Sequence, residues 1–248
     1  MWREHDVAVV VPAYCEARLL PKTLESVPGY VDRVIVVDDG SPDETFEVAS
    51  RRAEAEDRIQ VVRLGFNYGV GRAIVAGYRR ALEEGADVVA VMAADAQMDP
   101  DDLPDVLRPV VEGRADYSKG DRLDHRDARR MPPVRRFGTR LLASLTGIVA
   151  GEPDLRDTQC GYTAISASML ERLPLDVLYP SYGYPNDLLI RLAEADAEIA
   201  QPTVRPVYGD EVSGLRISAV VGPITGILLR GLWRRILGGE QRRRSRDA

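Results

Sequence analysis

Residues 34–41 read Val-Ile-Val-Val-Asp-Asp-Gly-Ser, a β-branched run without polar alternation that ends in two carboxylates and a glycine. A strand of this kind needs apolar cover on both faces, the situation of parallel sheets in α/β proteins, whose ligands gather beyond the carboxyl ends of the strands. Asp38 and Asp39 lie at such an end, where two roles are open to them: contact with a ligand, or capping of the helix that begins near Pro42. The pattern recurs. Strand-like runs at 7–11, 33–37, 59–64 and 87–92 alternate with helical stretches at 19–27, 43–55, 70–84 and 101–111, which predicts an α/β fold with a mostly parallel sheet and helices on both faces. Beyond residue 115 the rhythm loosens. Segments 115–119, 162–166 and 198–207 read as short strands, 134–150 as a helix, and the Arg-, Asp- and Pro-rich stretch 120–133 as a mobile loop.

A chain of 248 residues buries a substantial core without disulfides or a structural metal. Its two cysteines, Cys15 and Cys160, cannot build a disulfide framework or a four-ligand zinc site, which predicts a reducing compartment. The polar start and the strand-length apolar run 7–11 do not make a secretory signal, so a cytoplasmic protein is expected. Charge is uneven. Residues 214–248 hold eight arginines against Glu240 and Asp247, a balance of +6, so the total of −6 leaves −12 on residues 1–213. The acidic body disfavours nucleic acid as a partner of the basic tail.

Apolar residues from 217 to 237 fall at helical spacing, yet the uncharged stretch 217–229 is shorter than the roughly 20 residues a spanning helix needs. Residues 1–213 are therefore expected to form the main domain, and 214–248 an amphipathic, Arg-rich helix and tail. With Trp233 among arginines, residues 217–246 suit a membrane surface; packing on the body or on a second subunit, as in a homodimer, is the alternative.

Four segments carry the chemistry. After the first strand, Pro12 and Ala13 lead to Tyr14 and Glu16, a ring able to cover a nucleobase and a carboxylate able to accept from ribose or base; Asp38 beside them can accept a base N–H. Ordinary packing is the other reading of Tyr14. The Asn67–Ala73 segment places Gly69 and Gly71 ahead of a helix, with Arg72 next, where backbone can approach a ligand. Asp95 and Gln97 follow the strand near residue 90, and Asp99-Pro100 reads as a helix N-cap.

In order and spacing, segments 11–16, 37–43, 67–73 and 94–100 resemble the family 2 glycosyltransferases, most closely the dolichol-phosphate mannose synthase type with its bacterial polyprenyl-phosphate relatives. The resemblance covers about residues 7–213. It implies the GT-A (Rossmann-like) fold, a nucleotide-diphosphate sugar as donor, inversion at the transferred sugar and a divalent metal, Mg²⁺ or Mn²⁺. Asp95 and Gln97 match the metal motif and Ala94 its donor-facing backbone, while Ala93 stands where relatives carry a further Asp. Lys119 and Arg122 match the segment after the fifth strand, and Arg135 or Arg136 the arginine after the mobile loop; solvated loop charge is the alternative for each. Residues 157–162 match a turn whose Gly161 lies beneath the donor sugar, with Cys160 as a buried filler. Asp187 matches an acidic residue near the reacting centre, with helix capping as its competitor, and 209–214 matches the segment that closes the catalytic domain. The function this implies is transfer to a polyprenyl (dolichyl-type) phosphate by a peripheral protein on the inner face of the cell membrane. Two alternatives stand beside it: transfer to a hydroxyl of a soluble or glycan acceptor with Asp187 as general base, and a nucleotide-sugar-binding module without turnover.

Overall fold

In the computed structural model, residues 2–207 and a final helix over 217–244 are described, the latter with side chains for 222–237. Strands β1 (Val7–Ala13), β2 (Arg33–Asp38), β3 (Ile59–Arg63) and β4 (Val88–Val91) run parallel. Helices α1 (Leu20–Ser26), α2 (Thr45–Ala55) and α3 (Val70–Glu83) connect them, and α4 (Leu103–Val111) follows β4. The pleat divides the β-branched runs between two cores. Val7, Val9, Val11, Val34 and Val36 join Leu20 of α1 and Leu103 and Leu107 of α4. Ala8, Val10, Ile35 and Val37 join Ile74 and Tyr78 of α3 and Leu188 and Leu192 of α7 (Tyr184–Glu194). All nine strand residues are fully or almost fully buried. At roughly 1.5–3 kcal/mol for each fully buried Val or Ile, this two-sided burial dominates the stability of the sheet and explains why the runs show no polar alternation.

The sheet has seven strands in the order β3-β2-β1-β4-β6-β5-β7. β5 (Tyr117–Lys119) pairs parallel with β7 (Ile199–Ala200), whereas β6 (Thr163–Ser166) runs antiparallel between β4 and β5. Three differences from expectation lie here. Segment 198–207 forms only the two-residue β7, beyond which it keeps isolated bridges to Asp121 and Met98 while Arg205 N–H donates to Asp102 Oδ2 at 2.6 Å. The loop 120–133 contains a 3₁₀ turn at Arg126–Arg130, and a short helix α6 (Ala167–Arg172), capped by Ser166, follows β6.

Helix α8 (Ile217–Arg244) packs on α5 (Pro133–Ala150) and α7. Ile224 and Ile227 are buried there, and Ile227 clusters with Val149 of α5 and Ile190 of α7. Two arginines clamp it. Arg234 Nε donates to Glu194 Oε1 at 2.8 Å, and Arg235 donates to the carbonyl oxygens of Ile148 and Val149 at the end of α5, a favourable place for a cation. Among the described residues no helix is long and apolar enough to cross a membrane. The boundary at 213, the 209–214 segment and Arg216 lie outside the described residues, as do the side chains of Arg242–Arg244.

Candidate active site

From β1 the chain builds outward to β2 and β3, then returns to place β4 on the other side of β1. The carboxyl ends of β1 and β4 therefore flank the topological switch point, where an open α/β sheet leaves its crevice. Tyr14 and Glu16 follow β1; Asp95 and Gln97 follow β4. Register brings Asp38 beside Ala13 across the first pair.

The loop after β1 is held by its neighbour. Cys15, in the left-handed region at φ 57°, donates its N–H to Ser41 Oγ at 3.1 Å, and Glu16 N–H donates to Thr45 Oγ1 at 2.8 Å, which leaves Tyr14 44% exposed at the rim. Pro12 is half-buried and Ala13 buried, its carbonyl accepting from Asp39 N–H at 2.9 Å. Both aspartates at the end of β2 are buried. Asp38 Oδ1 accepts from Ser41 N–H at 3.1 Å, and its Oδ2 lies 3.5 Å from Arg63 Nε. Asp39 accepts from Tyr68 and Gly69 N–H at 2.8 Å each; burial raises its carboxyl, and these two amides offset part of the rise. Neither caps α2, whose first turn is bound by Asp43 through Thr45 N–H at 3.2 Å. Asp39 thus organises the loop that carries the glycines.

Those glycines serve an approach within the chain. A Cβ on Gly69, at φ 97°, would stand 2.6 Å from the Pro180 carbonyl oxygen, and one on Gly71 would meet the Tyr179 carbonyl and stand 2.8 Å from Tyr184 Cβ. The start of α3 is pressed against residues 179–184, and Arg72 Nη1 donates to the Asp176 carbonyl at 3.2 Å. The close approach that Gly69 and Gly71 permit is thus to residues 179–184, and Arg72 reaches the same segment.

A cavity of about 290 Å³ opens where the 94–97 turn faces the segment after β5, the turn that leads into β6 and the segment after β7; Asp95, Gln97, Arg122, Arg135, Gln159 and Arg205 line it. Thr23 of α1 fixes the turn, its hydroxyl donating to Ala94 O at 3.0 Å and accepting from Ala96 N–H at 3.1 Å, with Ala96 left-handed at φ 55°. Asp95 Oδ1 accepts from Gln97 N–H at 3.0 Å, and burial holds its carboxyl above its ordinary value. One carboxylate and one side-chain amide on a single turn fit a cation that keeps phosphate and water oxygens as its other ligands, as Mg²⁺ does, and do not make a protein cage. Among the described residues no three His, Cys, Asp or Glu side chains gather to hold a metal. Ala93 lines the same cavity, and Asp99 caps the next turn as expected, accepting from Asp101 N–H at 3.1 Å.

Arg122 enters the cavity on a rigid support. Its Nε and Nη2 donate to both oxygens of Asp157, at 2.6 and 2.9 Å, and its N–H to the same carboxylate at 3.2 Å. Asp157 is fully buried; burial alone would raise its carboxyl, but the Arg122 guanidinium, with Lys119 behind it, brings it below its ordinary value. Lys119 is fully buried and donates to the Asp157 carbonyl oxygen, and burial pulls its ammonium down. It does not line the cavity and acts as a strut. Gln159 is tethered by donating to Asn186 Oδ1 at 2.6 Å, Asn186 in turn donating to Thr146 Oγ1 at 2.7 Å. Arg205 lies 3.5 Å from Asp99 and 3.7 Å from Asp127, linking the cavity rim to the 3₁₀ turn. Cys160 is buried with its thiol raised by burial, and Gly161 lines the cavity.

Asp187 lies elsewhere. It is buried on α7, accepting from Tyr179 N–H at 2.9 Å and from Arg191 Nε at 3.3 Å, with Arg234 of α8 at 3.7 Å, and is not among the cavity residues. The structure thus gathers Asp95, Gln97, Arg122 and Arg135, keeps Tyr14, Asp38 and Asp39 on the neighbouring strand ends, and separates Lys119 and Asp187 from the cavity. Asp157 and Gln159 fall in the 157–162 turn, where the sequence gives them no individual role; Arg205 carried no sequence signal.

The sequence pattern described as Glycosyl transferase family 2 matches residues 8–173, more than half of the chain. Undecaprenyl-phosphate mannosyltransferase of Micrococcus luteus is 30% identical over 241 residues, covering 92% of this chain and 96% of the relative. UDP-N-acetylglucosamine–dolichyl-phosphate N-acetylglucosaminyltransferase of Methanococcus voltae is 24% identical over 230 residues, covering 87% and 91%. Glucosyl-3-phosphoglycerate synthase of Mycobacterium tuberculosis, solved with Mn²⁺, UDP and glucosyl-3-phosphoglycerate, shares the fold at a TM-score of 0.68 and 24% identity over 92% of this chain and 80% of that one. By sequence pattern and by the architecture of its sheet, the chain belongs to glycosyl transferase family 2 and is a glycosyltransferase.

Proposed function

We propose that the enzyme transfers a sugar, with inversion, from a nucleotide-diphosphate donor to the phosphate of a polyprenyl (dolichyl-type) lipid at the cytoplasmic surface of the membrane. One observation carries this reading: three guanidinium groups, Arg122, Arg135 and Arg205, share a cavity with Asp95, while the carboxylate of Asp187 is turned to Arg191 and Arg234. Arginines recognise phosphate oxygens in a planar, bidentate way. A phosphate monoester, with a second pKa near ~6, is already ionised at neutral pH and needs positioning where an alcohol would need a base. The names of the relatives, undecaprenyl-phosphate and dolichyl-phosphate transferases, point the same way. Asp95 and Gln97 would hold Mg²⁺ or Mn²⁺, which when bound offsets the charge of the departing diphosphate. Arg122, aimed by Asp157, orients phosphate oxygens beside it, and Tyr14 at the rim covers the base.

The second reading, a hydroxyl acceptor with Asp187 as general base, makes the opposite prediction. Purified enzyme with Mn²⁺ and labelled UDP-, GDP- and dTDP-sugars is offered undecaprenyl phosphate or undecaprenol. Label is expected in the lipid phase with the phosphate alone, and Asp187→Asn should lower kcat by less than about tenfold, against the 10²–10⁴-fold typical of a lost general base. Transfer to the alcohol that Asp187→Asn abolishes would replace the first reading by the second.

A further inference from the structure

Helix α5 has two opposed faces. Thr139, Ala143, Thr146 and Val149 are buried on the side that meets α7 and α8. On the opposite side Val134, Phe137, Leu141, Leu145 and Ile148 recur at helical spacing and are 43–78% exposed, a continuous apolar face along the whole helix. Residues 128–151 hold five arginines and no Asp or Glu, in a chain of net charge −6. Arg135, Arg136 and Arg140 make no ion pair among the described residues. Two of the three described arginines of α8 differ: Arg234 is committed to Glu194 and Asp187, and Arg235 to the end of α5, whereas Arg230 bonds only the Gly226 carbonyl of its own helix. Leu229, Trp233 and Ile236 of α8 are also exposed, on the side away from its buried Ile224 and Ile227.

We infer that the outer face of α5 lies on an anionic bilayer, with its free arginines among the headgroups and the outer face of α8 as a lesser, apolar contact. An apolar stripe bordered by arginines without acids complements a negatively charged leaflet. A second copy of the chain is a poor occupant, since it would set one acid-free, five-arginine segment against another. The placement also serves the site. Arg135, in the first turn of α5, lines the cavity, so a helix lying at headgroup depth holds the cavity mouth level with lipid phosphates. The inference rests on the lipid-acceptor reading and names the surface by which the site reaches that acceptor.

The test is flotation of the full-length enzyme with vesicles of phosphatidylcholine and phosphatidylglycerol in equal parts, and with phosphatidylcholine alone. Wild type should float with the anionic vesicles only, and Phe137→Asp/Leu141→Asp should weaken partitioning by about tenfold or more, beyond the effect of Trp233→Asp/Ile236→Asp. Both positions of the α5 pair are exposed, so its melting temperature and its transfer to a short, water-soluble isoprenyl phosphate should match wild type. Undiminished flotation of the α5 variant, or a larger loss from the α8 variant, would overturn the inference. So would a wild type that ignores vesicles and forms a dimer that Phe137→Asp/Leu141→Asp splits. Absence of transfer to every acceptor with flotation still dependent on α5 would sink the reaction proposed above and leave this surface standing.

Discussion

Replacing Asp95 by Asn should lower kcat/KM for sugar transfer by on the order of 10²–10³-fold, the range that loss of one preorganised electrostatic group costs, with the fold intact. Among the described residues Asp95 is the acidic residue of the cavity, and Gln97 and the arginines around it cannot attract a cation on their own. Its carboxyl is held above its ordinary value by burial, so a bound cation stabilises a charge that the protein alone leaves costly. Asn keeps the shape and can still accept from Gln97 N–H, and Thr23 fixes the turn independently through Ala94 and Ala96. The check is a kinetic series in Mn²⁺, in which the variant should need far more metal and recover only part of its rate. Wild-type kinetics in Asp95→Asn would remove the residue from the machinery.

The second large effect is on stability. Asp157→Ala leaves the Arg122 guanidinium without its partner and removes a negative charge beside the buried Lys119 ammonium, whose hydrogen bond to the backbone carbonyl of residue 157 stays; breaking a buried pair from one side costs about 3–5 kcal/mol. For a chain of this size that is a fall in melting temperature of about 10 °C, measurable by calorimetry. Transfer should fall too, because Arg122 loses the support that aims it into the cavity. The pair also sets a pH dependence. Since the folded-state pKa of Asp157 lies below its unfolded value, its contribution is complete above the unfolded pKa, near ~3.9, and is lost as pH falls through the lower folded value. Wild type and Asp157→Ala should therefore converge in stability under acid and diverge near neutrality.

The parallel half of the molecule was legible because its information is local. Runs such as 34–37 can only be strands buried on both faces, and Asp99-Pro100 caps a helix whatever surrounds it. The insertion of β6 between β4 and β5 was not, since a four-residue strand has too short a pattern to reveal its neighbours or its direction. The site divides in the same way. Asp95 and Gln97 sit on one turn and were found together, whereas the direction of a side chain depends on partners far along the chain. Lys119 meets the Asp157 carbonyl, and Asp187 meets Arg234 of the last helix. Gly69 and Gly71 showed that backbone had to come close to something; that the something was residues 179–184 is a tertiary fact. Composition points to the C-terminal arginines as the membrane surface; of the three described ones, Arg234 and Arg235 are folded onto the body, whereas Arg135, Arg136 and Arg140 of α5 make no ion pair among the described residues.

The central claim is that the cavity between the 94–97 turn and Arg122 receives the donor diphosphate, and a crystal structure of the enzyme soaked with UDP or GDP and Mn²⁺ tests it most directly. The account predicts the metal against Asp95 and Gln97, with diphosphate oxygens within hydrogen-bond distance of Arg122. A diphosphate bound instead in the open groove between Asp121, Arg140 and Arg156 would contradict it.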